Sequence, residues 1–178
     1  MLRSNARTPR LLAWGLVLLI AVSALVACEA SKVTWGNEHY SIEYDAQMFD
    51  VQTDENDILV LNAVNEKGKI KVEVSGFHPF DVSQSVTEYF DNAQVSFEEE
   101  FDRITNKSSD DNKQYGISCR TVSISGDNAD FETLTVGMMK LMISDETLLY
   151  LKIFGDSKAV NAEYGTILEI IESAKISD

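Results

Sequence analysis

Apolar residues recur at two spacings along the chain, and each spacing predicts a different kind of element. Residues 69–75 alternate, with β-branched side chains on one face, which predicts a half-buried strand. Segments 58–64 and 147–154 are apolar on both faces, as expected for central strands covered on both sides. Further strands are predicted at 39–44, 49–53, 115–125 and 131–143, whereas the polar stretch 105–114 is predicted to be a loop.

Two segments have a helical period. The first predicts a helix of about 20 residues that begins at a capping box formed by Asp81 and Gln84. The second spans 160–174, with Asp156 or Ser157 as its N-cap. This order of elements predicts an α+β domain with a single antiparallel sheet flanked by two helices. The stripe of the first helix is Val82, Val86, Phe90, Ala93, Phe97 and Phe101.

The N-terminus has the three regions of an export signal. Residues 1–10 carry three arginines and no acid, residues 11–21 are uncharged and apolar, and smaller residues then lead to Cys28. A membrane anchor is one alternative, although such a helix usually needs ~20 apolar residues. Ordinary cleavage near Ala24 or Ala30 is another. The tetrapeptide Leu-Val-Ala-Cys that ends at Cys28 resembles the lipobox of bacterial lipoproteins.

That resemblance implies that diacylglycerol is attached to the Cys28 thiol and that the signal is cut off just before it. It predicts a signal peptide at 1–27, a lipidated tether at 28–38 and one globular domain at 39–178. Two acyl chains suffice for stable anchoring in a membrane. Because the signal directs export, the expected location is the extracytoplasmic face of the cell membrane.

The charge of the chain narrows the class of partner. Removing residues 1–27 takes away three of the 15 basic residues and none of the 29 acidic ones, so the mature charge is 12 − 29 = −17. Such a charge argues against nucleic acid, whose binders carry basic patches. The expected partner is an envelope protein. The acidic run after the first helix is one candidate contact, formed by Glu98, Glu99, Glu100 and Asp102.

The reactive residue types give no catalytic pattern. Cys119 is the only cysteine left if Cys28 is acylated, so it has no intramolecular disulfide partner and is expected to be a buried thiol. His39 and His78 lie far apart in sequence, and His78 is expected to occupy an ordinary loop. The acidic segments 54–57 and 109–112 lack the spacing of a calcium loop. No metal or cofactor is therefore predicted.

From about His39 to Ser177 the chain resembles the Mog1/PsbP-like group, which includes DcrB- and LpqN-type bacterial lipoproteins. The resemblance rests on the element order, the central amphipathic helix, the helix after the strand Thr-Leu-Leu-Tyr-Leu-Lys-Ile-Phe, and the lipoprotein signal. It implies binding or assembly rather than catalysis. The predicted function is a membrane-anchored, non-catalytic binding or assembly-accessory module. The alternatives are a lipoprotein that delivers a solute to a transporter and an envelope hydrolase.

Overall fold

Two β-sheets and three helices form the part of the chain that the structure describes. This computed structural model describes residues 31–177 apart from 56 and 82. The smaller sheet contains β1 (Lys32–Gly36), β2 (Tyr40–Asp45) and β10 (Lys175–Ile176), in the order β1-β2-β10. The strands of the larger sheet are β3 (Asp50–Glu55), β4 (Ile58–Asn65), β5 (Gly68–Phe77), β6 (Arg103–Gln114), β7 (Ile117–Asp127), β8 (Thr135–Ile143) and β9 (Leu148–Asp156).

The larger sheet is antiparallel throughout, with the strand order β3-β4-β5-β9-β8-β7-β6. Helix α1 spans Val86–Glu98 and lies on one face, mainly over β7 and β8. Helices α2 (Ser157–Ala162) and α3 (Tyr164–Ser173) lie on the other face together with β2 and β10. The middle of the sheet is thus covered on both sides.

Two apolar cores separate these layers. The first lies between the larger sheet and the layer that contains β2 and α3, and it includes Ile42, Leu151 and Ile167. The second lies under α1, where Phe97 and Phe154 pack with their ring centroids 5.2 Å apart. Strand β9 contributes to both cores, which confirms the prediction that segment 147–154 is covered on both faces.

Arg120 on β7 links α1 to the sheet through hydrogen bonds and a contact with an aromatic ring. Its Nε and Nη2 donate to the Asp111 carboxylate at 2.6 and 2.8 Å, and its Nη1 donates to Asp91 on α1 at 2.7 Å. The guanidinium carbon lies 5.2 Å from the ring centroid of Phe90, also on α1. The hydrogen bonds to Asp111 hold the pKa of Arg120 above its usual range. Arg120 therefore ties the edge of the sheet, its neighbouring strand and the helix together.

The prediction of one sheet flanked by two helices is wrong. After α3, Ala174 turns to an extended conformation and the chain pairs with β2, with Lys175 opposite Ser41. Local sequence patterns cannot reveal this pairing, because β2 lies near the start of the domain's sequence and β10 lies near its end. The predicted terminal helix is two helices, since the backbone leaves the helical conformation at Glu163. Its apolar stripe continues through the break because both helices face the same core, with Val160 and Ile167 buried.

The segment predicted to be a loop at 105–114 lies within β6. Its backbone pairs with β7 along its length, but its side chains are exposed on both faces and so show no alternation. Helix α1 is also shorter than predicted, and its capping box uses Ser85 and Glu88 rather than Asp81 and Gln84. The Ser85 hydroxyl accepts from the Glu88 amide, and the Glu88 carboxylate accepts from the Ser85 amide.

Candidate functional site

One part of the larger sheet lacks the cover that the sequence predicts. Leu59, Leu61 and Ala63 of β4 enter the first core, so the residues between them project from the opposite face. Within the described residues, α1 lies mainly over β7 and β8, which leaves this face of β4 and β5 accessible. The prediction that segment 58–64 is covered on both faces is therefore wrong. We call this surface the open face, formed by Ile58, Val60, Asn62, Lys71, Glu73, Ser75 and Phe77.

One end of the open face is apolar. Ile58 and Phe77 expose 41% and 45% of their surfaces. Ser75 lies opposite Ile58 on β4 and opposite Tyr150 on β9, so its small side chain leaves room between larger ones. Burial raises the pKa of Tyr150 to about 12. Its hydroxyl, like that of an ordinary tyrosine, is neutral at pH 7 and can donate a hydrogen bond. Accessible apolar surface with a polar rim is typical of an interaction site.

The other end of the open face carries a row of alternating charges. Lys71 contacts Glu73 at 2.6 Å, Lys152 contacts Glu73 at 2.7 Å, and Lys152 contacts Glu100 at 2.8 Å. Burial is the largest single influence on Glu73 and opposes its ionisation, but the hydrogen bonds and charges of Lys152 and Lys71 together outweigh burial and lower the pKa of Glu73. Burial likewise opposes the charge on Lys152, and its bonds to Glu100 and Glu73 raise its pKa.

This row changes the electrostatics of the open face. Two lysines and two glutamates give a local formal charge of zero on a chain whose net charge is −14. A partner that approaches the open face meets an apolar end and a row with no net charge. It therefore encounters less acidic repulsion there than the net charge of the chain suggests.

The structure places the predicted acidic contact residues in different environments. Glu98 accepts from Lys107 and from Gln94, each at 2.8 Å. Glu100 belongs to the row on the open face, through its ion pair with Lys152. Glu99 and Asp102 are exposed. The acidic run is therefore divided between internal ion pairs and accessible carboxylates, and its part in partner binding stays a prediction.

The lipid-attachment residue Cys28 lies outside the described residues, as do residues 1–30 as a whole. The first described strand, β1, begins at Lys32 within the segment predicted to be a tether. Trp35 on β1 donates from its indole nitrogen to Asp54 at 2.8 Å and packs against Tyr40. These contacts fix part of the expected tether to the domain. No helix among residues 31–177 combines the length and the apolar composition that a membrane span requires.

The two histidines are neighbours in space. The imidazoles of His39 and His78 stack with centroids 3.4 Å apart and planes at 13°. His78 Nδ1 lies 3.0 Å from the hydroxyl of the buried Thr147, and His39 Nε2 lies 3.5 Å from the Glu38 carboxylate. Sequence distance gave no sign of this pair, since the start of β2 and the end of β5 meet only in the fold. No cluster of three metal-ligating side chains occurs among the described residues.

A cleft lies beside the C-terminal end of α3. This cleft has a volume of about 540 Å³, and its lining includes Cys119, Lys140 and Thr121. Cys119 is a buried free thiol, as predicted, and burial raises its pKa. Burial lowers the pKa of Lys140, whose ammonium donates to the carbonyl of Ile171 at 2.7 Å. Lys140 therefore satisfies a terminal carbonyl of α3, which is a structural role.

No protein-family model and no curated sequence matches this chain. Solved structures match its fold. LpqN of Mycobacterium tuberculosis, described as involved in cell envelope biogenesis, is 8% identical with a TM-score of 0.59, over 83% of this chain and 91% of LpqN. PA94 of Pseudomonas aeruginosa is 8% identical with a TM-score of 0.50, over 81% and 96% of the two chains. PsbP of Synechocystis is 14% identical with a TM-score of 0.49, over 83% and 93%.

At these identities the likeness is one of fold. The similarity to LpqN confirms the predicted resemblance to LpqN at the level of the fold. The chain thus has an α+β fold that is built mostly of antiparallel sheet and is shared with LpqN.

Proposed function

We propose that the protein is a bacterial lipoprotein, acylated at Cys28, that acts as a non-catalytic binding or assembly-accessory module at the extracytoplasmic face of the cell membrane. The observation that carries the binding role is the open face, where Ile58 and Phe77 remain accessible beside an ion-paired row of zero formal charge. The fold similarity to LpqN supports a role in the envelope.

The position of β1 limits the distance between the domain and the membrane in this proposal. Only residues 29–31 separate Cys28 from the first residue of β1, Lys32. Four fully extended residue steps reach about 14 Å, so an acylated Cys28 would keep the domain close to the bilayer. The expected partner is therefore an envelope protein that exposes its contact surface near the membrane.

Substitutions on the open face test this proposal. We would crosslink the wild-type chain, Phe77→Ser and Val95→Ser in intact membranes and quantify the captured proteins. Phe77 and Val95 are both exposed apolar residues, but Val95 lies on α1 outside the open face. An aromatic residue that anchors an interface contributes about 2 kcal/mol or more to binding, so Phe77→Ser should reduce capture of a specific partner at least about tenfold. Val95→Ser should not reduce it.

The capture yields of the two variants can contradict the proposed contact surface as well as support it. If Phe77→Ser and Val95→Ser retain the same partners at the same yield, the open face is not the contact surface. Circular dichroism of both purified variants distinguishes lost binding from lost folding. Equal spectra and equal melting temperatures with unequal capture would support the proposed binding role.

The cleft beside α3 favours one other function, the binding of a solute. Its volume of about 540 Å³ lies within the range of small-molecule sites, and its lining combines Lys140 with Thr121 and apolar Ile171. A ligand held there should protect the Cys119 thiol from slow alkylation. A solute that raises the melting temperature and gives this protection would favour ligand delivery over the binding-module function.

A further inference from the structure

Strand β6 is a long accessible edge of the larger sheet. It spans Arg103–Gln114 and, among the described residues, pairs with β7 on one side only. All of its residues except Gln114 are exposed, and its irregularity is a register shift between Ile104 and Asn106. The regular stretch Asn106–Gln114 presents backbone N–H and C=O groups along its outer side. Such an edge can pair with another strand.

Strand β3 forms the opposite edge of the sheet, and it has features that disfavour pairing with another strand, which the regular stretch of β6 lacks. Strand β3 is six residues long, is interrupted by a register shift between Val51 and Thr53, and contains three acidic residues and no basic one. Strand β6 is 12 residues long and contains three basic and two acidic residues. It is therefore nearly balanced in charge on a chain of net charge −14, so two copies of β6 repel one another less than the net charge of the chain suggests.

We propose that two copies of this protein associate by pairing their β6 strands antiparallel across a two-fold axis at Ser109. This pairing joins the two larger sheets edge to edge. An axis perpendicular to the sheet keeps the α1 faces of both copies on the same side. Residues opposite one another must then face the same side of the sheet, so the axis has to pass through a residue pair and not between two pairs.

Charge selects the register. Three registers pair at least seven of the nine residues of the stretch Asn106–Gln114 with the symmetry mate, and they centre on Ser109, Asp110 or Asp111. Like charges directly opposite one another destabilise a sheet. The second and third registers place Asp110 or Asp111 opposite its own copy. The first places Ser109 opposite Ser109, and Lys107 opposite Asp111 of the second copy.

The favoured register also extends the ion pairs that each chain already contains. On the α1 side of the sheet, Lys107 contacts Glu98 at 2.8 Å and Asp111 contacts Arg120 at 2.6 Å. Pairing at Ser109 places these four residues in a row of alternating sign across the junction. No charge in that row is brought next to one of its own sign. A second copy is therefore complementary to β6 in its backbone and, on the α1 side of the sheet, in its charge.

Cysteine crosslinking in intact membranes tests the register. Opposite residues in a sheet have Cβ atoms about 4.5–5.5 Å apart, so Ser109→Cys should form a covalent dimer with a short thiol crosslinker. Lys113→Cys is the matched control. Lys113 is exposed on the same strand, but the register separates its two copies by about eight residues, or about 27 Å. The wild-type chain, whose Cys119 is buried, gives the background.

Ser109→Cys should give at least tenfold more covalent dimer than Lys113→Cys. Adding Lys107→Glu to Ser109→Cys should lower that yield severalfold, because a glutamate then faces Asp111. Equal yields at positions 109 and 113, or no dimer from either, would overturn the proposal. These outcomes are independent of partner capture through Phe77, which lies on the open face and not on β6.

Discussion

Replacing Arg120 should separate the packing and the ionic contributions that hold α1 on the sheet. Truncation to Ala removes two buried methylene groups, which contribute about 1.6 kcal/mol at about 0.8 kcal/mol each. The contact with Phe90 contributes about 0.5 kcal/mol. Asp91 and Asp111 are more than half exposed, so after solvent screening their two ion pairs contribute only about 1 kcal/mol together. Arg120→Ala should therefore lower the free energy of unfolding by about 3 kcal/mol.

Arg120→Met is the matched variant, because methionine keeps most of the aliphatic packing and removes the charge. It should cost about 1.5 kcal/mol, roughly half the cost of Arg120→Ala. Urea denaturation of both variants at pH 7, followed by circular dichroism, measures the difference. If Met destabilises the protein as much as Ala does, the ion pairs outweigh the packing and the reasoning fails.

Wild type and Arg120→Met also test the direction in which stability changes with pH. The hydrogen bond from Arg120 lowers the pKa of Asp111 in the folded state. A carboxylate with a lowered pKa stabilises the fold above its unfolded pKa of about 3.9, and this contribution is lost as the pH falls through the folded value. The stability difference between wild type and Arg120→Met should therefore narrow below about pH 4. A difference that widens there would contradict the assignment.

Three further predictions follow from single residues. Because burial lowers the folded pKa of Lys140, the unfolded state binds more protons in the pH range between the two pKa values. In denaturation experiments wild type should therefore gain stability relative to Lys140→Met as the pH rises toward the unfolded pKa of about 10.4. Cys119→Ala should cost about 1 kcal/mol, and reductant should leave the melting temperature unchanged; a clear drop with reductant would reveal an intermolecular disulfide. Cys28→Ala should leave unprocessed precursor or release the domain, whereas normal maturation and membrane retention would refute acylation at Cys28.

Several elements were predictable because their signals are local. The alternation in segment 69–75 matches β5, whose Ile70, Val72 and Val74 are buried as predicted. The double-faced segment 147–154 matches β9. The burial of Cys119 followed from its place in a strand-like segment and from the lack of a catalytic partner in the sequence.

The remaining features depend on contacts between distant segments. A polar strand such as β6 has no hydrophobic pattern, because both of its faces are exposed. The stack of His39 on His78 requires β2 and β5 to be in place. Apolar residues on both faces of 58–64 predicted two covered faces, but one of these is the open face. The apolar residues of this segment do form a strand, but Ile58 is part of an accessible surface and not of a core.

Site-specific photo-crosslinking tests the binding role of the open face most directly. A photoreactive phenylalanine analogue would replace Ile58 on the open face or, as the control, Tyr164 at the start of α3, and intact membranes would be irradiated. Both residues are about half exposed. The proposed function predicts a discrete adduct with an envelope protein from position 58 and not from position 164. The same adducts from both positions, or none from position 58, would contradict it.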